Sequence, residues 1–210
     1  MFIGFYGASV ILTYIGLAFS VVGMVFAFLG FIPASIMCLI LSGVCDMFDG
    51  SVARACKRTN EEKKFGVQID SLVDTVSFGV FPVVLGICMG FTSKLNIVIY
   101  VIYVLCAVIR LAYFNVLSEE KSILSKNKKE KVTYYHGLPV TSIAIILPFT
   151  YNILIFLNES VFVKAYPLVM FVTAILFVLN IKIKKPAGLW YVICSILAAI
   201  EIAIIWAAIS

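Results

Sequence analysis

The sequence predicts an all-α integral membrane protein, a bundle of about six to seven transmembrane helices preceded by an N-terminal interfacial helix. Three observations predict it. Hydrophobic residues make up 63% of the chain, and its mean hydropathy is +1.12, whereas soluble domains hold about 45–50% apolar residues. Apolar runs of about 20 residues, long enough for a helix to cross hydrocarbon, follow one another with very short connections. Water cannot satisfy backbone groups in the bilayer core, so such runs must be helical.

In chain order the predicted spans are 12–31, 33–54, 67–90, 96–117, 138–157, 162–181 and 188–209. Residues 1–11 are apolar but irregular and read as the interfacial segment. Gly30 to Pro33 supplies the turn between the first two spans. Only 55–65 and 118–136 read as polar loops, which leaves room for one membrane domain over 1–210 and no separate soluble one. The N-terminus lacks a basic n-region, and its apolar run outlasts an h-region, so no cleavable signal peptide is expected. The six cysteines (38, 45, 56, 88, 106, 194) show no CxxC spacing and read as small apolar packing residues.

Charge sets the orientation. Lys57, Arg58, Lys63 and Lys64 lie in the first polar loop, and Lys121, Lys126, Lys128, Lys129 and Lys131 in the second. Lys182, Lys184 and Lys185 precede Pro186, while the other face offers only Lys94 and Lys164. Basic loops stay in the cytoplasm, so the N-terminus is predicted there too. The net charge of +5 therefore reports topology and lipid contact rather than nucleic acid. The second loop would be drawn to anionic lipid by roughly 1 kcal/mol per charge.

Against this background four aspartates are anomalous. Asp46 and Asp49 end one apolar run, and Asp70 and Asp74 begin the next. A carboxylate at mid-bilayer costs on the order of 2.5–3.5 kcal/mol even on the mildest scale. The i,i+3 and i,i+4 spacings put each pair on one helix face, and the short loop makes the two helices antiparallel neighbours. On the second face Gly66 is expected one turn before Asp70, and Ser77 and Phe78 one turn after Asp74. Asp46 lies eight residues before Arg54, about 12 Å below the cytoplasmic end. Four convergent carboxylates make a hard-oxygen site for Mg²⁺, Mn²⁺ or Ca²⁺, and two divalent ions neutralise it better than one. A two-metal clamp suits displacement at phosphorus. Gly50 and Ala53 would let a nucleotide lie against the helix, or simply serve helix packing. Arg54 would grip a phosphate.

The run Asp46-x-x-Asp49-Gly50-x-x-Ala53-Arg54 … Gly66-x-x-x-Asp70-x-x-x-Asp74 resembles the signature of the CDP-alcohol phosphatidyltransferases. Every signature position is filled, although the eleven residues between Arg54 and Gly66 make a slightly long loop. The resemblance implies transfer of a phosphatidyl group from a CDP-linked lipid to an alcohol, with release of CMP. It implies metal binding by Asp46, Asp49, Asp70 and Asp74, with Asp74 as general base. It also implies CDP-lipid contacts at Asp46, Asp49, Gly50, Ala53, Arg54, Gly66 and Asp70, and a homodimer.

Residues 46–74 thus form the motif core, and 77–139 hold acceptor-side elements. Ser77-Phe78-Gly79 with Pro82, Arg110 to Asn115, and Gly137-Leu138-Pro139 resemble the phosphatidylserine synthase branch, with Tyr113 where that branch commonly has arginine. Arg110, about 10 Å deep, reads as a fork for the carboxylate of L-serine, or as an arginine snorkelling to headgroups or paired structurally with an aspartate. Ser77, Asn115 and Tyr135 are further candidate serine contacts, and the lone His136 reads as a loop residue. The expected donor is a CDP-diacylglycerol or an ether-lipid equivalent, in a cell membrane, with the site opening to the cytoplasm. Glycerol 3-phosphate or inositol as acceptor is the alternative within the family. A cation channel or transporter is the alternative outside it, and would leave Gly50, Ala53 and Arg54 without a role. Glu201, inside the last apolar run, has no assigned role at this level.

Overall fold

The computed structural model describes residues 4–124, 134–155, 159–184 and 188–209, with side chains described over 4–117, 137–153, 164–181 and 193–207. Helices α1 (Ala8–Phe28) and α2 (Ile32–Ala55) form the first hairpin, with Pro33 in the first turn of α2. Helix α3 (Asn60–Asp74) runs through a π-helical segment (Thr75–Val80) into α4 (Phe81–Cys88). Helix α5 (Lys94–Leu124), strand β1 (Tyr134–His136), α6 (Ile143–Ile155), α7 (Glu159–Val178), strand β2 (Lys182–Lys184) and α8 (Gly188–Ile209) complete the order.

The helices fall where the apolar runs predict them, with differences at the ends. Four helical stretches, Ala8–Phe28, Ile32–Ala55, Asn60–Cys88 and Lys94–Leu117, are long and apolar enough to cross a membrane. Three shorter apolar helices, Val140–Ile153, Lys164–Val178 and Ile193–Ala207, bring the number to seven among the described residues. Residues 8–11 are the first turn of α1, and no separate interfacial helix exists among the described residues before it.

The first polar loop is shorter than 55–65. Thr59 accepts a hydrogen bond from the Glu62 amide while Glu62 accepts from the Thr59 amide, and this capping box starts α3 at Asn60. Hydrophobicity marks the span; the cap marks the helix. The second polar segment begins as helix, since the α5 backbone continues to Leu124. Residues 134–136 pair antiparallel with 182–184, Tyr135 opposite Ile183, a short ladder that hydropathy gave no sign of. Gly137 comes next at φ +77, and a Cβ there would meet the Phe177 carbonyl oxygen at 2.7 Å.

Small side chains bring α1 and α2 together. The buried face of α1 carries Ser9, Thr13, Gly16, Ser20, Gly23 and Ala27, a small residue at every turn. Ser20 donates to Ser42 across the interface at 2.9 Å, and a Cβ on Gly16 would sit 3.2 Å from Cys45 Cβ. Gly43 opens the other side of α2 to α6, where a Cβ would fall 2.6 Å from Ala144 Cβ. The core beneath is filled by Phe78, Phe81, Leu85, Tyr103, Leu147 and Phe177. Large apolar residues such as Phe28 and Trp206 face outward, as a lipid-facing surface requires.

Candidate metal and substrate site

Asp46 and Asp49 lie on α2, and Asp70 and Asp74 on α3. The hairpin brings one carboxylate oxygen each of Asp46, Asp49 and Asp70 within 4.8 Å of one another. Hard divalent ions take oxygens at about 2.0–2.6 Å, so oxygens this near one another could hold one ion after a small adjustment. The donor set fits such an ion. Asp74 sits one turn beyond Asp70, beside Asp46. It is among the most buried of the four, 7% exposed, with Asp49 at 8%.

Neighbours orient these acids. Thr13 of α1 donates to Asp49 Oδ2 at 2.8 Å and to the Ser9 carbonyl at 3.0 Å. Arg110 of α5 is close enough to attract Asp46, and Arg54 and Arg58 attract Asp49. Three guanidinium groups thus act on the acids of the site.

The small residues leave space beside the acids. Among the described residues, and apart from the helix backbone itself, the position of a Cβ on Gly50 is approached only by Arg54 Nη1, at 3.5 Å, and that on Gly66 only by Arg58 Nη1, at 3.4 Å. Ala53 is half-buried, and Arg54 is exposed with Nη2 donating to Ser51 Oγ at 2.9 Å. Arg58, from the four-residue connection 56–59, therefore covers Gly66 just as Arg54 covers Gly50.

The candidate acceptor residues are less uniform. Arg110 is half-buried, with its guanidinium 5.6 Å from the Phe114 ring centroid and its charge acting on Asp46. Asn115 is joined to Ser71 of α3, its Nδ2 donating to Ser71 Oγ at 2.9 Å, so it braces the helix that carries Asp70. Ser77 is fully buried in the π-helical segment. Its expected place, with Phe78, on the Asp70–Asp74 stripe holds only for α-helical phase. An extra residue in the turn rotates the later positions by about 100°. Tyr135 lies in β1 by its backbone, and its side chain is outside the described residues.

Sequence reasoning missed Thr13, Ser71 and Arg58. Thr13 sits in the small-residue stripe of α1, where packing explains its size but not its hydroxyl. Ser71 is adjacent in sequence to Asp70, and Arg58 reads in the sequence only as a topology charge.

Apolar helices long enough to cross a bilayer, with buried carboxylates clustered between two of them, define a helical membrane protein with oxygen donors able to hold a metal ion. The chain belongs to the CDP-alcohol phosphatidyltransferase family, which residues 8–170 match. It is similar to the CDP-diacylglycerol–serine O-phosphatidyltransferase of Saccharomyces cerevisiae, 40% identical over 114 residues, 53% of this chain and 40% of that protein. The protein of the same name from Methanocaldococcus jannaschii is 35% identical over 109 residues, 52% of this chain and 46% of its own. That from Mycobacterium leprae is 34% identical over 113 residues, 53% of this chain and 35% of its own. Each match spans less than half of the relative's length.

Proposed function

We propose that the protein transfers the phosphatidyl group of a CDP-diacylglycerol, or an ether-lipid equivalent, to the hydroxyl of L-serine. The products are phosphatidylserine, or its ether analogue, and CMP. The observation that carries this reading is the convergence of Asp46, Asp49 and Asp70, with Asp74 adjoining, inside a helical bundle of this family. The names of the similar proteins favour serine as acceptor.

Each side chain has a role in this reading. The carboxylates of Asp46, Asp49, Asp70 and Asp74 hold two divalent cations, Mg²⁺ or Mn²⁺, with Ca²⁺ a further ion the donors suit. When bound, such ions stabilise charge on the attacking and leaving oxygens at phosphorus. Gly50, Ala53 and Gly66 admit the cytidine diphosphate against the helix backbones, and Arg54 holds its phosphate. Arg110 orients serine through its carboxylate, with Ser77, Asn115 and Tyr135 as further contacts. Asp74 takes the serine proton as the Oγ–P bond forms and the P–O bond to CMP breaks.

The protein is proposed to be integral to the cell membrane, multi-pass, with 1–210 as one domain and the N-terminus and site opening on the cytoplasm. Membrane lipids and a second copy of the chain are its proposed partners. The test is CMP release from CDP-dioleoylglycerol with serine, glycerol 3-phosphate or inositol, each with and without a chelator. Release that requires both serine and a divalent ion is expected. Release with another alcohol would replace serine, and metal-independent release would remove the cation site.

A further inference from the structure

The turn after Asp74 is built around a proline. The π-helical segment Thr75–Val80 is closed by the Phe81 amide, which donates to the Val76 carbonyl five residues back. Pro82 comes next in the chain. Proline has no N–H, and its ring crowds the carbonyl four residues earlier, here that of Phe78. A widened turn relieves that conflict, and isolated π turns recur at functional sites.

The missing donor is supplied from another helix. Tyr103 of α5 donates its hydroxyl to the Phe78 carbonyl at 2.7 Å. Tyr103 is 0% exposed, and its ring packs against Phe177 with centroids 5.5 Å apart. Tyr166 of α7 donates to the carbonyl of Pro82 itself. Two tyrosines from two helices therefore clasp the backbone on either side of the kink. Within the clasped segment lies Ser77, fully buried, whose Oγ has no hydrogen-bond partner among the described residues. Orphaned buried hydroxyls are rare in native structures and ask for an explanation. This one is three residues beyond Asp74.

We propose that Tyr103 is a positioning residue for the acceptor half of the reaction. By replacing the amide that Pro82 lacks, it holds the wide turn, and the turn sets the directions of Asp74 and Ser77. The inference rests on the phosphatidyl-transfer reading above, with Asp74 as base. It also predicts a division of labour. The positions assigned to the CDP-lipid, Gly50, Ala53, Arg54 and Gly66, lie toward the α2–α3 connection, away from the turn. Loosening the turn should therefore impair serine more than the lipid donor.

Tyr103→Phe keeps the ring and removes only the hydroxyl. With the full chain in mixed micelles of CDP-dioleoylglycerol, L-serine and Mn²⁺, kcat/KM for serine should fall about fivefold to tenfold, the scale of one hydrogen bond. The KM for CDP-lipid should stay within about twofold. Equal effects on both substrates, or none on serine, would overturn the proposal. Pro82→Ala restores an amide opposite the Phe78 carbonyl, so the double variant P82A/Y103F should lose less than the product of the single losses. Independent losses would overturn the tie, and the double variant supplies the reading if Tyr103→Phe alone does not fold. Amide exchange over 75–81 should quicken in Y103F and recover in the double variant. A wild-type chain active only with another alcohol displaces serine alone, and the Tyr103 split is then read on that acceptor. A wild type inactive with every acceptor overturns both readings.

Discussion

Asp49 shows how a carboxylate is kept in place inside a membrane helix. Its Oδ2 accepts from Thr13 of the neighbouring helix, so its rotamer is set before any cation arrives. Groups that orient metal ligands typically contribute ten- to a hundredfold in affinity. Thr13→Val, nearly equal in volume, should raise the Mn²⁺ concentration for half-maximal CMP release by about tenfold. An unchanged metal requirement would show that Asp49 needs no such support. Asp74→Asn keeps the shape and removes the proposed base, so CMP release should be abolished with the fold preserved; retention of most activity would remove that role. Arg110→Ala should raise the KM for serine while CDP-lipid binding survives, and equal loss of nucleotide binding would make Arg110 a structural cation instead.

At the scale of elements, the site depends on how closely α1, α2 and α6 approach. Lipid offers no hydrophobic force between helices, so close backbone packing through small residues has to hold them. Gly43 is a point of close approach between α2 and α6, with a would-be Cβ 2.6 Å from Ala144 Cβ. Gly43→Val should destabilise the bundle by about 1–3 kcal/mol through overpacking, read as a lowered melting temperature in detergent. No change would mean that α2 and α6 can part without loss. Helix α3 shows how local signals outrank hydropathy. Its first turns are polar, yet the Thr59–Glu62 capping box makes them helical. That extension carries Gly66 and, one turn later, Asp70 on a continuous rigid element rather than on a loop. Asn115 then ties that element to α5 through Ser71.

For the whole molecule, the C-terminal helix is fastened to the bundle by a polar pair. Asn152 of α6 donates its amide to the carboxylate of Glu201 on α8, and both residues are 5% exposed. Glu201, without a role in the sequence, thus becomes the partner that joins α8 to α6. Glu201→Ala removes the carboxylate and leaves the Asn152 amide only the distant backbone carbonyl of residue 201, at 3.5 Å, which should cost about 1–3 kcal/mol. Thermal unfolding in detergent checks this, and an unchanged midpoint would make the pair incidental.

The sequence by itself determined the fold class, the approximate places of seven apolar helices and the identity of the acidic site, because each is written in local patterns. A long apolar run must be a helix in hydrocarbon, and spacings of three and four put Asp46 with Asp49, and Asp70 with Asp74, on one face. The tertiary structure alone decided what lies across from those faces. Thr13 and Arg58 reach the site from another helix and from a turn, and nothing in their own neighbourhood announces it, while Ser71, beside Asp70, gains its role only through Asn115 of α5. The pairing of Glu201 with Asn152 joins residues 49 positions apart. The phase change at Thr75–Val80 is the intermediate case: Pro82 is visible in the sequence, but the hydroxyl that satisfies its missing bond comes from Tyr103, on another helix.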